Sequence, residues 1–146
     1  MGSEFLTSPF DNLLKPVDDH LIVHNELMSS LILGNKIQIH TSEHGIPDLD
    51  TTKIVIIGIP ENRNSIDYLG DELNLNEIRK SLYNLYPGNW STEIADLGNL
   101  ILGENVEQTY GRIISMRALH PENAHRNHVF DFFLRENAAR SAAAAQ

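Results

Sequence analysis

The sequence predicts an α/β fold from three consecutive stretches. These are a β-branched run at residues 53–60 (Lys-Ile-Val-Ile-Ile-Gly-Ile-Pro), an amphipathic segment after Asn74, and a second strand-like stretch around Glu93, Ile94, Ala95, Asp96 and Leu97. A continuous apolar run suits a parallel strand buried on both faces. In the middle segment Ile78, Leu82 and Leu85 share a helical face, Asn76 can cap the start, and Pro87-Gly88 ends it. Strand, helix and strand in that order form a βαβ unit, whose crossover is right-handed by strong precedent.

The remaining elements follow from the same reasoning. From Asp18 to Leu33 the residues Leu21, Ile22, Leu27, Met28, Leu31 and Ile32 fall near helical spacing, with Asp18 or Asp19 able to cap the start and Gly34 to stop it. Residues 36–40, Lys-Ile-Gln-Ile-His, alternate as a short edge strand and lead into a Gly45/Pro47 loop. The second strand of the βαβ unit closes at Gly98-Asn99. Beyond Glu104, Val106, Tyr110, Ile113 and Ile114 predict a helix. Residues 129–136 predict a short amphipathic one, with Asn127 as its cap.

Composition narrows the function classes. The 146 residues are one domain's worth, with 41% apolar and 21% charged residues, close to ordinary globular values. Eleven Lys and Arg against twenty Asp and Glu give a formal charge of −9, which disfavours nucleic acid and anionic membrane surfaces as partners. No apolar run approaches the ~20 residues that span a bilayer. The chain has no cysteine, which removes disulfides, thiolate metal sites and a cysteine nucleophile, and fits a cytoplasmic location.

Two seams divide the chain. Residues 1–5, Met-Gly-Ser-Glu-Phe, read as the translation of adjacent cloning sites, the alternative being a natural terminus. Near Arg112 the composition shifts. One alanine, Ala95, precedes this point and eight follow, while Lys15, Lys36, Lys53 and Lys80 all precede it. A fusion, foreign sequence after a truncation, or a change of frame each accounts for this shift. The domain reading is therefore residues 1–5 as a scar, 6–113 as the α/β segment, and 114–146 as an unmatched, foreign or tail segment.

Three ordered stretches carry a family resemblance: residues 53–65 (Lys-Ile-Val-Ile-Ile-Gly-Ile-Pro-Glu-Asn-Arg-Asn-Ser), residues 77–90 (Glu-Ile-Arg-Lys-Ser-Leu-Tyr-Asn-Leu-Tyr-Pro-Gly-Asn-Trp) and residues 94–99 (Ile-Ala-Asp-Leu-Gly-Asn). A first strand ending in Gly-x-Pro, a helix bearing Ile-Arg and a strand end with Asp-x-Gly resemble the amino-terminal portion of an arginase/agmatinase/formimidoylglutamase-type ureohydrolase. The match is nearest to formimidoylglutamase-like members and covers about residues 6–113. It implies a partial three-layer parallel sheet with flanking helices. It also implies, for the full-length family, manganese-dependent hydrolysis of a guanidino or formimino C–N bond by two manganese ions, in an oligomer in many members. The family draws its ligands from Gly-Gly-Asp-His, Asp-Ala-His-x-Asp and Ser-x-Asp-x-Asp motifs, none of which occurs here. The expectation is a catalytically silent segment with no catalytic residue, metal ligand or cofactor of its own. The alternative is a non-catalytic binding or oligomerisation module, self-associating or recruiting a partner chain through a sheet edge and a Phe-rich helix carrying Phe130, Phe132 and Phe133.

Glu61, Asn62 and Arg63 follow the Gly58-Ile59-Pro60 strand end, where open α/β sheets bind ligands, and are the candidate binding residues; solvation of a loop is the plainer reading. His20 and His24, four apart, have a spacing at which two imidazoles can share a metal, but read more simply as surface histidines. His120, His125, His128 and Glu122 form the densest ligand-capable cluster, with a solvated segment as the plainer reading. Tyr83, Tyr86 and Trp90 around Pro87-Gly88 read as packing in preference to ligand stacking.

Overall fold

The structure, a computed structural model, describes residues 10–66, 68, 70 and 74–118. Among them the elements are β1 (Leu14–Lys15), α1 (Asp19–Leu27), a 3-10 turn (Leu33–Asn35), β2 (Gln38–Ile39), β3 (Ile54–Gly58), α2 (Asn76–Tyr83), β4 (Ile94–Leu100) and α3 (Val106–Ala118). The fold is mixed α/β, with the predicted βαβ unit present as β3, α2 and β4. The helix predicted at residues 129–136, the histidines from His120 to His128 and Phe130, Phe132 and Phe133 lie outside the described residues.

Among the described residues, β1, β2 and β3 each pair with β4. Ala95 is paired with both Gln38 and Val55, and Asp96 with both Ile39 and Ile56, so β2 and β3 must flank β4 on opposite sides. Asn99 is paired with both Lys15 and Gly58, which puts β1 on the same edge as β2, end to end with it. The Val17 amide closes that junction by donating to the His40 carbonyl at 2.9 Å. β2 and β3 run parallel to β4, whereas β1 runs antiparallel. The sheet is thus not purely parallel.

The alternation along β4 and β3 sorts the core into two faces. Ala95 and Leu97 pack with Val55, Ile57, Phe10 and the α3 residues Ile113 and Met116. Ile94 and Ile56 point the other way, against Leu33, Ile37 and Leu82 of α2. Tyr83 packs with Val17 and Leu21, joining α2 to α1.

β4 differs from its predicted course. It does not close at Gly98 but runs to Leu100, and between Ile56 and Gly58 of β3 it uses three steps, Asp96 to Asn99, where β3 uses two. This is a β-bulge, one extra residue that bends the strand and resets which face each later side chain takes. Gly98 absorbs the irregularity at φ 85°, and a Cβ there would lie 2.0 Å from the Lys15 carbonyl oxygen of β1. Leu97 and Leu100, three apart, consequently share one core cluster.

α1 is shorter than predicted. Asp18 caps it as expected, accepting from the His20 amide at 2.9 Å, but the helix stops at Leu27. The Asn35 side-chain amide takes the Asn25 carbonyl at 2.7 Å and the Ser29 carbonyl at 3.0 Å, and Met28 is extended. The apolar residues expected to form one inward face therefore divide. Leu21 is buried, while Leu27 and Leu31 are 81% and 58% exposed.

Gly98→Ala is expected to destabilise the chain by about 2–5 kcal/mol in urea unfolding, the sum of a left-handed backbone penalty and a backbone clash. A loss below about 1 kcal/mol would show that the bulge tolerates a side chain.

Candidate functional site

The extra residue in β4 has a specific consequence. In a regular strand Asp96 and Asn99 would project to opposite faces; with the bulge between them both face α2. There they meet Arg79, which is 2% exposed, as Asp96 is 0%. Arg79 and Tyr83 lie four apart in α2 and so present one helical face to the same carboxylate.

The resulting network satisfies nearly every polar group in it. Arg79 Nε donates to Asp96 Oδ2 at 2.9 Å and Nη2 to Asp96 Oδ1 at 3.1 Å, a bidentate pair. Arg79 Nη2 also donates to the Gly98 carbonyl at 2.8 Å, and Nη1 donates to Asn99 Oδ1. The Tyr83 hydroxyl donates to Asp96 Oδ2 at 2.6 Å, and the Gly98 amide donates to Asp96 Oδ1 at 2.9 Å. Asp96 therefore accepts four hydrogen bonds, the full capacity of its two oxygens. Burial by itself disfavours the Arg79 cation, but the Asp96 charge and hydrogen bonds outweigh it and hold the guanidinium ionised. Burial, reinforced by the adjacent carboxylate, pushes the Tyr83 phenol up, so it remains a proton donor in this network at neutral pH. Gly58 completes the enclosure: a Cβ there would lie 2.1 Å from Asn99 Oδ1 and 3.0 Å from Arg79 Nη2.

A second network occupies the end of β3. Glu61 holds Arg63 through Nε at 2.9 Å and Nη2 at 2.6 Å. Arg63 also donates to the carbonyls of Gly103 and Glu104, each at 2.9 Å. The Thr109 hydroxyl of α3 donates to Glu61 Oε2 at 2.9 Å, and accepts from the Gly103 amide at 2.9 Å. The hydrogen bonds from Arg63, opposed by partial burial, hold the Glu61 carboxyl down at about 2. Two of the three sequence-nominated binding residues, Glu61 and Arg63, thus serve as a strut between the strand-end loop and α3. Asn62 is half-buried between them.

The histidines and aromatics take separate positions. His24 bonds Asn84 Oδ1 at 3.1 Å and ties α1 to the end of α2, while His20 is exposed. Tyr83 is buried in the core, whereas Tyr86 and Trp90 are exposed. His40, at the end of β2, is buried and donates from Nδ1 to the Leu97 carbonyl at 2.9 Å, which fixes its tautomer. Sequence reasoning missed His40 and the Arg79–Asp96 pairing. The one available signal was the Arg79/Tyr83 spacing beside an Asp-x-Gly strand end.

The described residues do not fit a paired-metal centre. They contain no group of three or more His, Asp or Glu side chains placed to hold an ion, and Asp96 has no lone pair left for one. What the arrangement does chemically is neutralise and orient: a buried cation and anion fix helix to sheet. No family model, curated protein or solved structure matches the chain.

Asp96→Asn leaves a buried guanidinium without its counter-charge and is expected to cost about 3–5 kcal/mol in urea unfolding. The double replacement Arg79→Met with Asp96→Leu should recover part of that loss, and equal losses in both would contradict a charge-pairing role. For Glu61 the folded value lies below the unfolded one of 4.5. Its contribution is therefore present above pH ~4.5 and disappears as pH falls through about 2. Wild-type stability should fall more steeply across that window than that of Glu61→Gln; equal slopes would exclude the strut.

Proposed function

We propose that the α/β segment is the non-catalytic amino-terminal scaffold of a ureohydrolase-type enzyme, nearest to formimidoylglutamase-like members, and is catalytically silent by itself. The parent chemistry in this reading is manganese-dependent hydrolysis of a guanidino or formimino C–N bond. Its two manganese ions would be held by residues other than those described here. One observation carries the proposal. Gly58, Arg79, Asp96, Gly98 and Asn99 come from the three stretches that resemble the family, and they converge on one buried network. In this reading the matching residues lock helix to sheet, a role that requires no catalytic group.

Two further features support the reading. β3 and β4 are parallel, with apolar side chains on both faces, α3 residues packing on one and α2 residues on the other. A three-layer parallel arrangement, which belongs to the proposal, would extend this pattern. The outer edge of β3 pairs with no strand among the described residues, which is where such a sheet would continue. The same edge favours the second reading, a binding or assembly module. No helix among the described residues is long and apolar enough to cross a membrane, and a cytoplasmic setting belongs to the proposal.

The test is a turnover assay on the purified chain with manganese and arginine, agmatine or formimidoylglutamate, beside a full-length ureohydrolase as positive control. No urea, ammonia or formamide above the protein-free blank is expected. Manganese-dependent release that scales with chain concentration would overturn the proposal.

A further inference from the structure

The strut at the end of β3 has the composition of a recognition site with its ligand built in. Glu61 accepts from Arg63 Nε at 2.9 Å and from Nη2 at 2.6 Å, one nitrogen on each carboxylate oxygen. The Gly103 carbonyl accepts from Nη2 and the Glu104 carbonyl from Nη1, each at 2.9 Å. Four of a guanidinium's five N–H groups are thereby met. A carboxylate that takes a two-nitrogen fork, with carbonyls for the donors that diverge from it, suits a flat cation and leaves the point charge of an ammonium poorly matched.

The acceptors owe their places to other bonds. Glu61 keeps two donors that do not belong to the guanidinium, the Arg63 backbone amide at 3.1 Å on Oε1 and the Thr109 hydroxyl at 2.9 Å on Oε2. The Gly103 amide donates to Thr109 Oγ1 at 2.9 Å and so anchors the loop to α3. Arg112 of α3 holds the two preceding carbonyls, Ile101 at 2.6 Å and Leu102 at 3.0 Å. None of these contacts uses the Arg63 side chain beyond its Cβ. A site assembled in advance binds with little ordering cost.

The site also opens toward water. The Glu61 side chain is 8% exposed and that of Arg63 25%, so the carboxylate lies deeper than the cation it holds. Truncating Arg63 would therefore bare a buried anion, and the −9 charge of the chain favours the approach of a cation to it.

We propose that Glu61, Gly103, Glu104 and Thr109 form a binding site for an alkylguanidinium cation, filled in the native chain by Arg63 and available to a free alkylguanidinium once that side chain is removed. Arg63 is two residues from Glu61, and this short tether gives it an effective concentration that a dissolved competitor does not match. The native chain is therefore closed to the free cation. The proposal stands apart from the ureohydrolase reading: no bond is made or broken at this site, and a failure here would leave the turnover assay of that reading unaffected.

The test is a titration of the full-length Arg63→Ala variant with ethylguanidinium, which carries the atoms the substitution removes. The amide NMR shifts of Gly103, Glu104 and Thr109 are followed at constant ionic strength, with ethylammonium as the control cation and the native chain as the control protein. Saturable shifts of these amides are expected in Arg63→Ala, with a dissociation constant at least ~10-fold lower for ethylguanidinium than for ethylammonium, and none in the native chain. Should Arg63→Ala be unfolded in buffer, ethylguanidinium is expected to restore the native amide pattern where ethylammonium does not. Absence of saturation or of recovery, equal responses to the two cations, or saturation of the native chain as well would each overturn the proposal.

Discussion

The buried ion pair between Arg79 and Asp96 is the constraint on which the rest of the structure depends. Taking both charges out of water costs several kcal/mol per ion, and only close, fully hydrogen-bonded geometry offsets that cost. Here all four acceptor positions of Asp96 are filled, two by Arg79, one by Tyr83 and one by the Gly98 amide. The pair therefore fixes α2 at one azimuth and one height over β4. A helix held only by Leu82 and Tyr83 against the apolar side chains around it would have more freedom to slide. The net stabilisation of such a pair over an apolar equivalent is small, but breaking one member is severe, so its main contribution is to specify a single arrangement.

That arrangement requires the bulge. Only because β4 inserts a residue opposite β3 do Asp96 and Asn99 both face the helix, and only a glycine at position 98 tolerates both the positive φ and the approach of the Lys15 carbonyl. The bulge also presents the Leu97 carbonyl to His40, which ties the end of β2 to β4. One irregularity thus serves strand pairing on one edge and helix docking on the face. Asp96 and Arg79 are buried ionisable groups whose hydrogen bonds are made within the chain. The hydrogen bonds that fill Asp96 make both residues structural among the described residues: they dock a helix on a sheet.

Much of the fold was legible in the sequence, because β3 and α2 carry strong local patterns, a β-branched run in one and an apolar stripe in the other, although α2 ends at Tyr83 and not at Pro87-Gly88, leaves Leu85 outside it and exposed, and begins with Asn76 as a helical residue and not as its cap. The Asp18 cap was legible for the same reason, a side chain acting two residues away. What was not legible depended on distant partners. The end of α1 is decided by Asn35, whose amide competes for carbonyls ten and six residues back. β1 is two residues long and owes its existence to β4. The ion pair was hidden by arithmetic. Strict alternation puts Asp96 and Asn99 on opposite faces, and nothing in the residues before Gly98 announces that the count slips there. Glu61 and Arg63 look like free loop charges until Thr109 and the Gly103 carbonyl arrive from α3.

Because it is fully buried and hydrogen-bonded, the Arg79–Asp96 network is expected to open only when the whole domain unfolds, and the Gly98 amide, which donates to Asp96 Oδ1, reports on it directly. Native-state hydrogen exchange of that single amide is the sharpest test. Exchange of Gly98 with the same opening free energy as Ala95 and Leu97 in the centre of β4 is the predicted result. Exchange of Gly98 orders of magnitude faster than those neighbours would mean that the network opens locally, and that the sheet does not depend on it.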